Sequence, residues 1–315
     1  MFQTIIGTIS SFMYSKLLVI LLIGAGVYFT VRTRFPQVRL FKNACGSVME
    51  KPEDKGAISS FQALMVSTAS RVGTGNIVGV SSAICIGGFG SVFWMWVIAI
   101  IGGILAVLTG WCLLGGGSRI VKVTSMVVRI FEEAFDFRAI FGAFSGSAMM
   151  QGIRRELYSN EAGIGSAPNA SASANVSHPV KQGLVQMLSV FIDTLLLCTA
   201  TAMMCMSSGI NPAKELQGAL WVQASLQESL GSLGPVFITV AMVFFAFTTL
   251  LGNCFYCDNL LIYIHKKQPE KAFMKGFRLV SALAIFLGAG MEMSLLWDLS
   301  DVLMGLWCSL TFRLS

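Results

Sequence analysis

Apolar residues gather along the chain in stretches near 16 to 32, 59 to 87, 90 to 116, 139 to 170, 180 to 208, 234 to 264 and 277 to 297. Each approaches or exceeds the roughly 20 helical residues that cross a hydrocarbon core. A further apolar stretch, Val302 to Leu310, stops short of that length. The pattern predicts an all-α, polytopic helical membrane protein whose residues 1–315 form a single transmembrane domain. Two of the stretches are interrupted in mid-course by glycine and polar residues: Ser67 to Gly79 (STASRVGTGNIVG) and Gly152 to Pro168 (GIRRELYSNEAGIGSAP).

A polar break at membrane depth frees amides and carbonyls that lipid cannot satisfy. Such breaks persist where protein or a water-filled cavity meets them. One break in each half of a chain points to the central site of a transporter. The half-helix after a break offers unpaired N–H groups and the positive end of its dipole to a carboxylate, and Gly73 and Gly75 leave that approach open. Carbonyls freed at the end of the preceding half-helix, with hydroxyls from a neighbouring span, suit a small hard cation such as sodium. Thr248 and Thr249 are candidate hydroxyl donors. The competing reading is that the small residues simply let helices pack closely.

Composition agrees with a bilayer as solvent: 55% of the 315 residues are hydrophobic and 12% charged, where an average soluble domain is about 25% charged. The first apolar run, Leu17 to Val31, has no small-residue cleavage site and is expected to be retained as a span. The net charge of +6 sits in short loops rather than in a continuous stripe, so it argues topology and not nucleic-acid binding. Basic residues concentrate at Arg32 to Lys55, Arg119 to Arg138 and His265 to Arg278, which the positive-inside rule places in the cytoplasm. Counting crossings between these loops leaves an odd number missing between about Arg119 and Ser145. The segment Phe89 to Gly117 ends in glycines without the usual basic border and reads as two half-spans joined.

The eight cysteines lie mostly in apolar segments and imply no disulfide framework. Cys254 and Cys257 form a CxxC, but His178 and His265 are too distant in sequence to complete a zinc site. Glu161 and Asp193 are acids in or beside apolar segments, and such acids are expensive enough to be functional by default. Pairing with Arg154 or Arg155 is the structural alternative. The sequons at Asn169 and Asn175 signify glycosylation only in a secretory setting. No nucleophile with a histidine partner, HExxH motif or P-loop is present, and GTGNIVG has the wrong glycine spacing for a dinucleotide loop. The expectation is a non-enzyme without a cofactor, driven by an ion gradient.

The stretches GTGNIVGVSSAICIGGFGSVFWMWV, SNEAGIGSAP, HPVKQGLVQMLSVFIDT and FAFTTLLGN resemble signatures of the alanine or glycine:cation symporter family. The likeness extends to GAGVYFTVRTRFPQVRLF and GGGSRIVKVT and covers most of the chain in the family's order. It implies a sodium-coupled amino-acid symporter of the leucine-transporter-like inverted-repeat fold in the cell (inner) membrane, with alternating access around a midplane site. The first-repeat remnant would then be 16–116, broken at 67–79, and the second-repeat portion 139–310, broken at 152–168. Carried residue by residue, Gly73, Thr74, Gly75 and Asn76 with Ser159, Asn160, Glu161 and Gly163 would meet the amino acid, and Thr248 and Thr249 would sit near sodium.

The chain also departs from the family. From WMWVIAIIGG it runs directly to LLGGGSRIVKV, where relatives are expected to carry further spans. A single RIFEEAFDF stands where another span should precede the second break. The end, MGLWCSLTFRLS, departs from a closing span, so the fold is expected to be incomplete, with internal deletions and a truncated C-terminus. Lost helices remove cavity walls, and the resemblance therefore implies weakened or absent transport of alanine or glycine. The alternative class is a membrane scaffold or degenerate remnant that transports nothing.

Overall fold

The computed structural model describes residues 2–13, 19–32, 34–50, 52, 58–101, 129–134, 148–161 and 174–314. Of the interval between Arg119 and Ser145, where the missing crossing is expected, only the helical residues 129–134 are described, and the second half of the break at 152–168, with Gly163, lies outside the described residues. Among the described residues every regular element is helical. A single bridge between Ile58 and Ala174 is the exception. The chain is a polytopic helical membrane protein.

Three described helices are long and apolar enough to cross a bilayer: Val180–Ser207, Leu233–Ile262 and Lys271–Ala289. Their surroundings differ. The most apolar window of the first is 61% buried, against 11% for the second and none of the third, so the first is an inner wall and the other two form the outer face. Exposed Phe244, Phe247, Leu283, Phe286 and Leu287 cover that outer face with apolar side chains, as contact with lipid requires.

The helix Ser60–Arg71 starts at a capping box in which Ser59 and Gln62 exchange side-chain and backbone hydrogen bonds of 3.1 and 2.9 Å. It stops at Val72, whose ψ of 89° leaves the helical region. The chain resumes as a π-helical turn, Gly75–Gly79, continued by the helix Val80–Gly87. The second interrupted segment contributes the helix Ala148–Asn160, ending at Glu161, whose φ of 54° is left-handed. Pro179 opens the inner-wall helix with the imidazole of His178 accepting from Val180 N. That helix widens into a π-helical segment, Ile192–Cys198, before continuing to Ser207.

These pieces pack around one apolar core. Ile77, Val80 and Ile84 from the first segment meet Val92, Met95 and Trp96 from Gly90–Ile101 and Leu195, Cys198 and Met203 from the inner wall. The helix Ala148–Asn160 lies against Gly90–Ile101 so closely that Gly152 touches the backbone of Ser91 and approaches Trp94. Trp221, on Ala219–Leu230, closes the core and donates its indole N–H to the Ile210 carbonyl at 3.1 Å.

The boundaries expected at the C-terminal end need correction. The span placed at 277–297 is instead Lys271–Ala289, closed by the turn at Gly290, and Met293–Leu314 is a separate helix that includes the stretch Val302 to Leu310. Lys271, Lys275 and Arg278 lie within the earlier helix because long cationic side chains reach out of an apolar surface, and Arg278 pairs with Asp258 at 2.7 Å. The helices Phe2–Phe12, Phe41–Val48 and Ala219–Leu230 have no counterpart among the expected spans.

A β-carbon at Gly152 would fall 2.8 Å from Trp94 Cβ and 3.2 Å from the Met95 amide, whereas one at Gly183 would meet nothing within 4 Å. Gly152→Ala should therefore cost about 1–3 kcal/mol of overpacking. Gly183→Ala should leave stability unchanged or raise it by up to about 1 kcal/mol through helix propensity. Thermal unfolding of the two variants in detergent, followed by size exclusion, checks the contrast.

Candidate functional site

The break after Arg71 leaves the Gly73 N–H without a helical partner, and the side chain of Asn76 takes it: Asn76 Oδ1 accepts at 3.1 Å. The other end of the same carboxamide donates to Asp193 Oδ1 at 2.7 Å. One side chain thus closes the broken backbone and ties it to the inner wall. From the second interrupted segment, Ser159 Oγ donates to Asp193 Oδ2 at 3.0 Å. Asp193, 1% exposed, is where both segments meet.

The π-helical widening places Asp193, Thr194 and Cys198 toward these two segments. A π bulge adds a residue to a turn and redirects side chains, a device common at functional sites. Cys198 Sγ lies 3.4 Å from Asn76 Nδ2 and 3.2 Å from Ser159 Oγ, so it touches both partners of Asp193. Thr199 Oγ1 donates to the Thr194 carbonyl at 3.2 Å and accepts from Trp96 Nε1 at 2.8 Å, holding the widened turn in place. Among the described residues no lysine or arginine forms an ion pair with Asp193.

Gly75 is where the two segments touch: a β-carbon there would lie 3.2 Å from Tyr158 and 3.4 Å from Ser159 Cα. Gly73 stands directly against Thr249 Oγ1, with no room for a side chain. That hydroxyl is buried and has no hydrogen-bond partner among the described residues. Thr248 is engaged within its own helix, donating to the Phe245 carbonyl at 3.0 Å. Thr74 lies within the break, half-buried. Asn160 donates to Thr194 Oγ1 at 3.0 Å and also to Glu156, a residue that the Thr194 hydroxyl bonds as well.

Arg71 seals one edge of the site. Its guanidinium donates to Ser189 Oγ at 2.8 Å and to Gln186 Oε1 at 3.0 Å, and Gln186 also accepts from Ser67 at 2.6 Å. Glu161 comes within 3.9 Å of the same guanidinium. Arg154 and Arg155 instead reach Asp301, at 3.6 and 4.0 Å, and Arg155 lies 3.7 Å over the Trp297 ring. The structural pairing of Asp193 with Arg154 or Arg155 that the sequence allows is therefore not formed, because those arginines are drawn to Met293–Leu314.

Of the candidate residues, the fold gathers Gly73, Gly75, Asn76, Ser159 and Thr249 around one buried point. Asn160 stands one step away on the Glu156 side, and Glu161 on the Arg71 side. Cys198, Thr194, Glu156 and Arg71 are not among the residues that the sequence singles out. Asp193 stands out in the sequence as an intramembrane acid, with nothing there to give it a place in the site. Among the described residues no cluster of histidine, cysteine and acidic groups forms a transition-metal site.

The profile of the Sodium:alanine symporter family matches residues 1–104 and 118–312. The chain is 31% identical over 412 residues to the probable sodium/glutamine symporter GlnT of Bacillus subtilis (strain 168), covering 96% of this chain and 86% of the relative. It is 31% identical to the amino-acid carrier protein AlsT of the same organism, covering 97% and 87%. It is 28% identical to the sodium/alanine symporter AgcS of Methanococcus maripaludis, covering 96% and 92%. Since the GlnT alignment spans 412 residues and this chain has 315, about a hundred positions of the relative have no counterpart here. The family match is interrupted at 105–117, the junction where the sequence departs from the family.

Gly73→Ala should destabilise the fold by about 1–3 kcal/mol, because its β-carbon meets Thr249 Oγ1. In the Gly73→Ala, Thr249→Ala double variant most of that loss should return. A double-mutant cycle of thermal stabilities measures the recovery, and strict additivity would mean that the two residues are not in contact.

Proposed function

The chain belongs to the sodium:alanine symporter family, and we propose on that basis that it catalyses sodium-coupled symport of a small neutral amino acid, alanine or glycine, across the plasma membrane. Transport proceeds by alternating access between inverted repeats, at a rate lowered by the spans it lacks. The family consists of transporters, so no chemical transformation is involved. The protein is a multi-pass component of the cell membrane with sodium as coupling ion.

The observation that carries this reading is the convergence of Asn76, Ser159 and Asp193 at one buried point, beside a hydroxyl with no partner among the described residues. In the proposed mechanism the amino acid displaces these internal bonds. Its carboxylate takes the amides freed around Gly73 and Gly75, helped by Thr74 and the side chains of Asn76 and Ser159. Its ammonium group faces Asp193, which has no ion-pair partner among the described residues. Asn160 and Glu161 complete the wall contributed by the second segment, and Gly163, which follows in the same motif, is proposed to meet the amino acid as well.

Sodium takes the Thr249 hydroxyl together with carbonyls released at the end of Ser60–Arg71. Thr248 joins it by giving up its bond to Phe245. Arg71 holds the first segment against Gln186 and Ser189 and borders the pocket on the Glu161 side. Opening to one face of the membrane requires breaking the Arg71 contacts, and opening to the other requires parting Gly75 from Tyr158.

Purified protein in liposomes should accumulate labelled alanine when sodium is supplied outside, and lose that uptake when potassium replaces sodium. Glycine and glutamine in parallel assays identify the preferred side chain. Asp193→Asn should reduce uptake about tenfold or more, the loss of a charge-assisted hydrogen bond of roughly 1.5–3 kcal/mol. Folded protein with no sodium-dependent uptake of any of the three overturns the symport reading in favour of a non-transporting scaffold or remnant.

A further inference from the structure

Glu156 is fully buried, at 0% exposure, on the helix Ala148–Asn160. Its two oxygens are treated differently. Oε1 accepts from both the Thr194 hydroxyl and the Asn160 carboxamide, while Oε2 has no hydrogen-bond partner among the described residues. A carboxylate spreads its charge over both oxygens, and leaving one of them bare in a low-dielectric interior is expensive. A neutral acid accepts at one carbonyl oxygen and carries no charge to leave bare, so it costs less here than a carboxylate even though a hydroxyl on Oε2 would find no acceptor among the described residues.

Among the described residues no lysine or arginine pairs with Glu156 to offset an ionised form. Arg154 and Arg155 precede it in sequence but reach Asp301. Gly90–Ile101 and Gly75–Gly79 carry no titratable group, and Val80–Gly87 brings Cys85. The π-helical segment brings Asp193 and Cys198, and Met293–Leu314 carries Asp298, Asp301, Cys308 and, at its far end in the sequence, Arg313. An ionised Asp193 would repel an ionised Glu156 of the same charge. Sodium does not fit the vacant oxygen either, because it requires several oxygen ligands, and Asn160 turns its nitrogen rather than its oxygen toward the carboxyl.

We propose that Glu156 is a proton-binding site of this membrane domain, occupied at neutral pH, and that its proton leaves when a positive ion arrives beside Asp193. The proton bonds to Oε2 and leaves Oε1 as the carbonyl oxygen that accepts from Thr194 and Asn160. On release it passes to water. Thr194 joins the two acids directly, following Asp193 in the chain and bonding Glu156 through its hydroxyl. A cation at Asp193 cancels the repulsion that an ionised Glu156 would feel. By linkage, a cation that expels the proton must bind more tightly as pH rises. The release step rests on the proposed binding of the substrate's ammonium group at Asp193, while the occupied proton site does not.

Infrared spectra of the protein in lipid at neutral pH test both parts. A carboxylic-acid carbonyl band is expected that Glu156→Gln removes, Glu156→Asp displaces and Asp193→Asn leaves in place. Sodium together with alanine should diminish the band in the unmodified protein. Should both Glu156 variants fail to fold, titrating the unmodified protein should show the acid band giving way to a carboxylate band at alkaline pH. A Glu156→Gln spectrum that superimposes on the unmodified one, or an unmodified protein with no acid band, overturns the site. A band insensitive to sodium and alanine in protein that transports alanine overturns the release step. A Glu156 band in protein without uptake supports the proton site and contradicts the symport reading alone.

Discussion

A carboxylate deep in a membrane protein has to be met, and the fold of this chain is arranged around meeting one. On insertion scales an acid at the centre of a span costs about 2.5–3.5 kcal/mol. Asp193 receives hydrogen bonds from Asn76 and Ser159, each of roughly 1.5–3 kcal/mol by soluble-protein values and about 0.6 kcal/mol by averages measured inside membranes. On the first scale the two bonds offset the cost. On the second they fall short, and in the proposed function the ammonium group of the substrate would supply the difference. Both interrupted segments must be present, since each contributes one bond. The Gly73 amide depends on the same arrangement, because the Asn76 carboxamide that accepts from it is oriented by Asp193.

The parts that build this junction lie on four pieces of chain: Ser60–Arg71 with its continuation to Gly87, Ala148–Asn160, the inner wall from Pro179 to Ser207, and the helix Leu233–His265 that brings Thr249. The family match is unbroken across all four and is interrupted at 105–117. The roughly one hundred positions that the relatives have and this chain lacks thus leave the junction's own residues in place.

The helical, membrane-spanning character is legible because burial in lipid demands apolar runs, and the runs near 180 to 208 and 234 to 264 coincide with helices in the structure. Candidate residues in the interrupted segments are legible because glycine beside polar side chains at membrane depth opens a helix whose backbone must then be satisfied by protein or water. Less legible is the surface that those segments face. Asp193 sits in VFIDTLLLC, where a regular helix would stack Cys198 on Thr194, four residues apart, but turn Asp193 away from both. The π-helical turn that brings the three together comes from packing against Trp96 and the second segment rather than from local propensity. Cys198 reads as a small apolar residue in such a run, and contact with Asn76 and Ser159 is what distinguishes it. Helix ends are also hard to place: Lys271 and Lys275 look like a loop by charge, yet they begin a helix whose far end stops at Gly290.

Cross-linking through Cys198 tests the central junction most directly, because its sulfur touches one residue from each interrupted segment. Asn76→Cys and Ser159→Cys, each made separately and oxidised in intact membranes, place a second thiol against it. Proteolysis without reductant followed by mass spectrometry should recover a disulfide to Cys198 from both variants. Recovery of neither, from protein in which the introduced thiols still react with a membrane-permeant maleimide, would contradict the meeting of the two segments at Asp193.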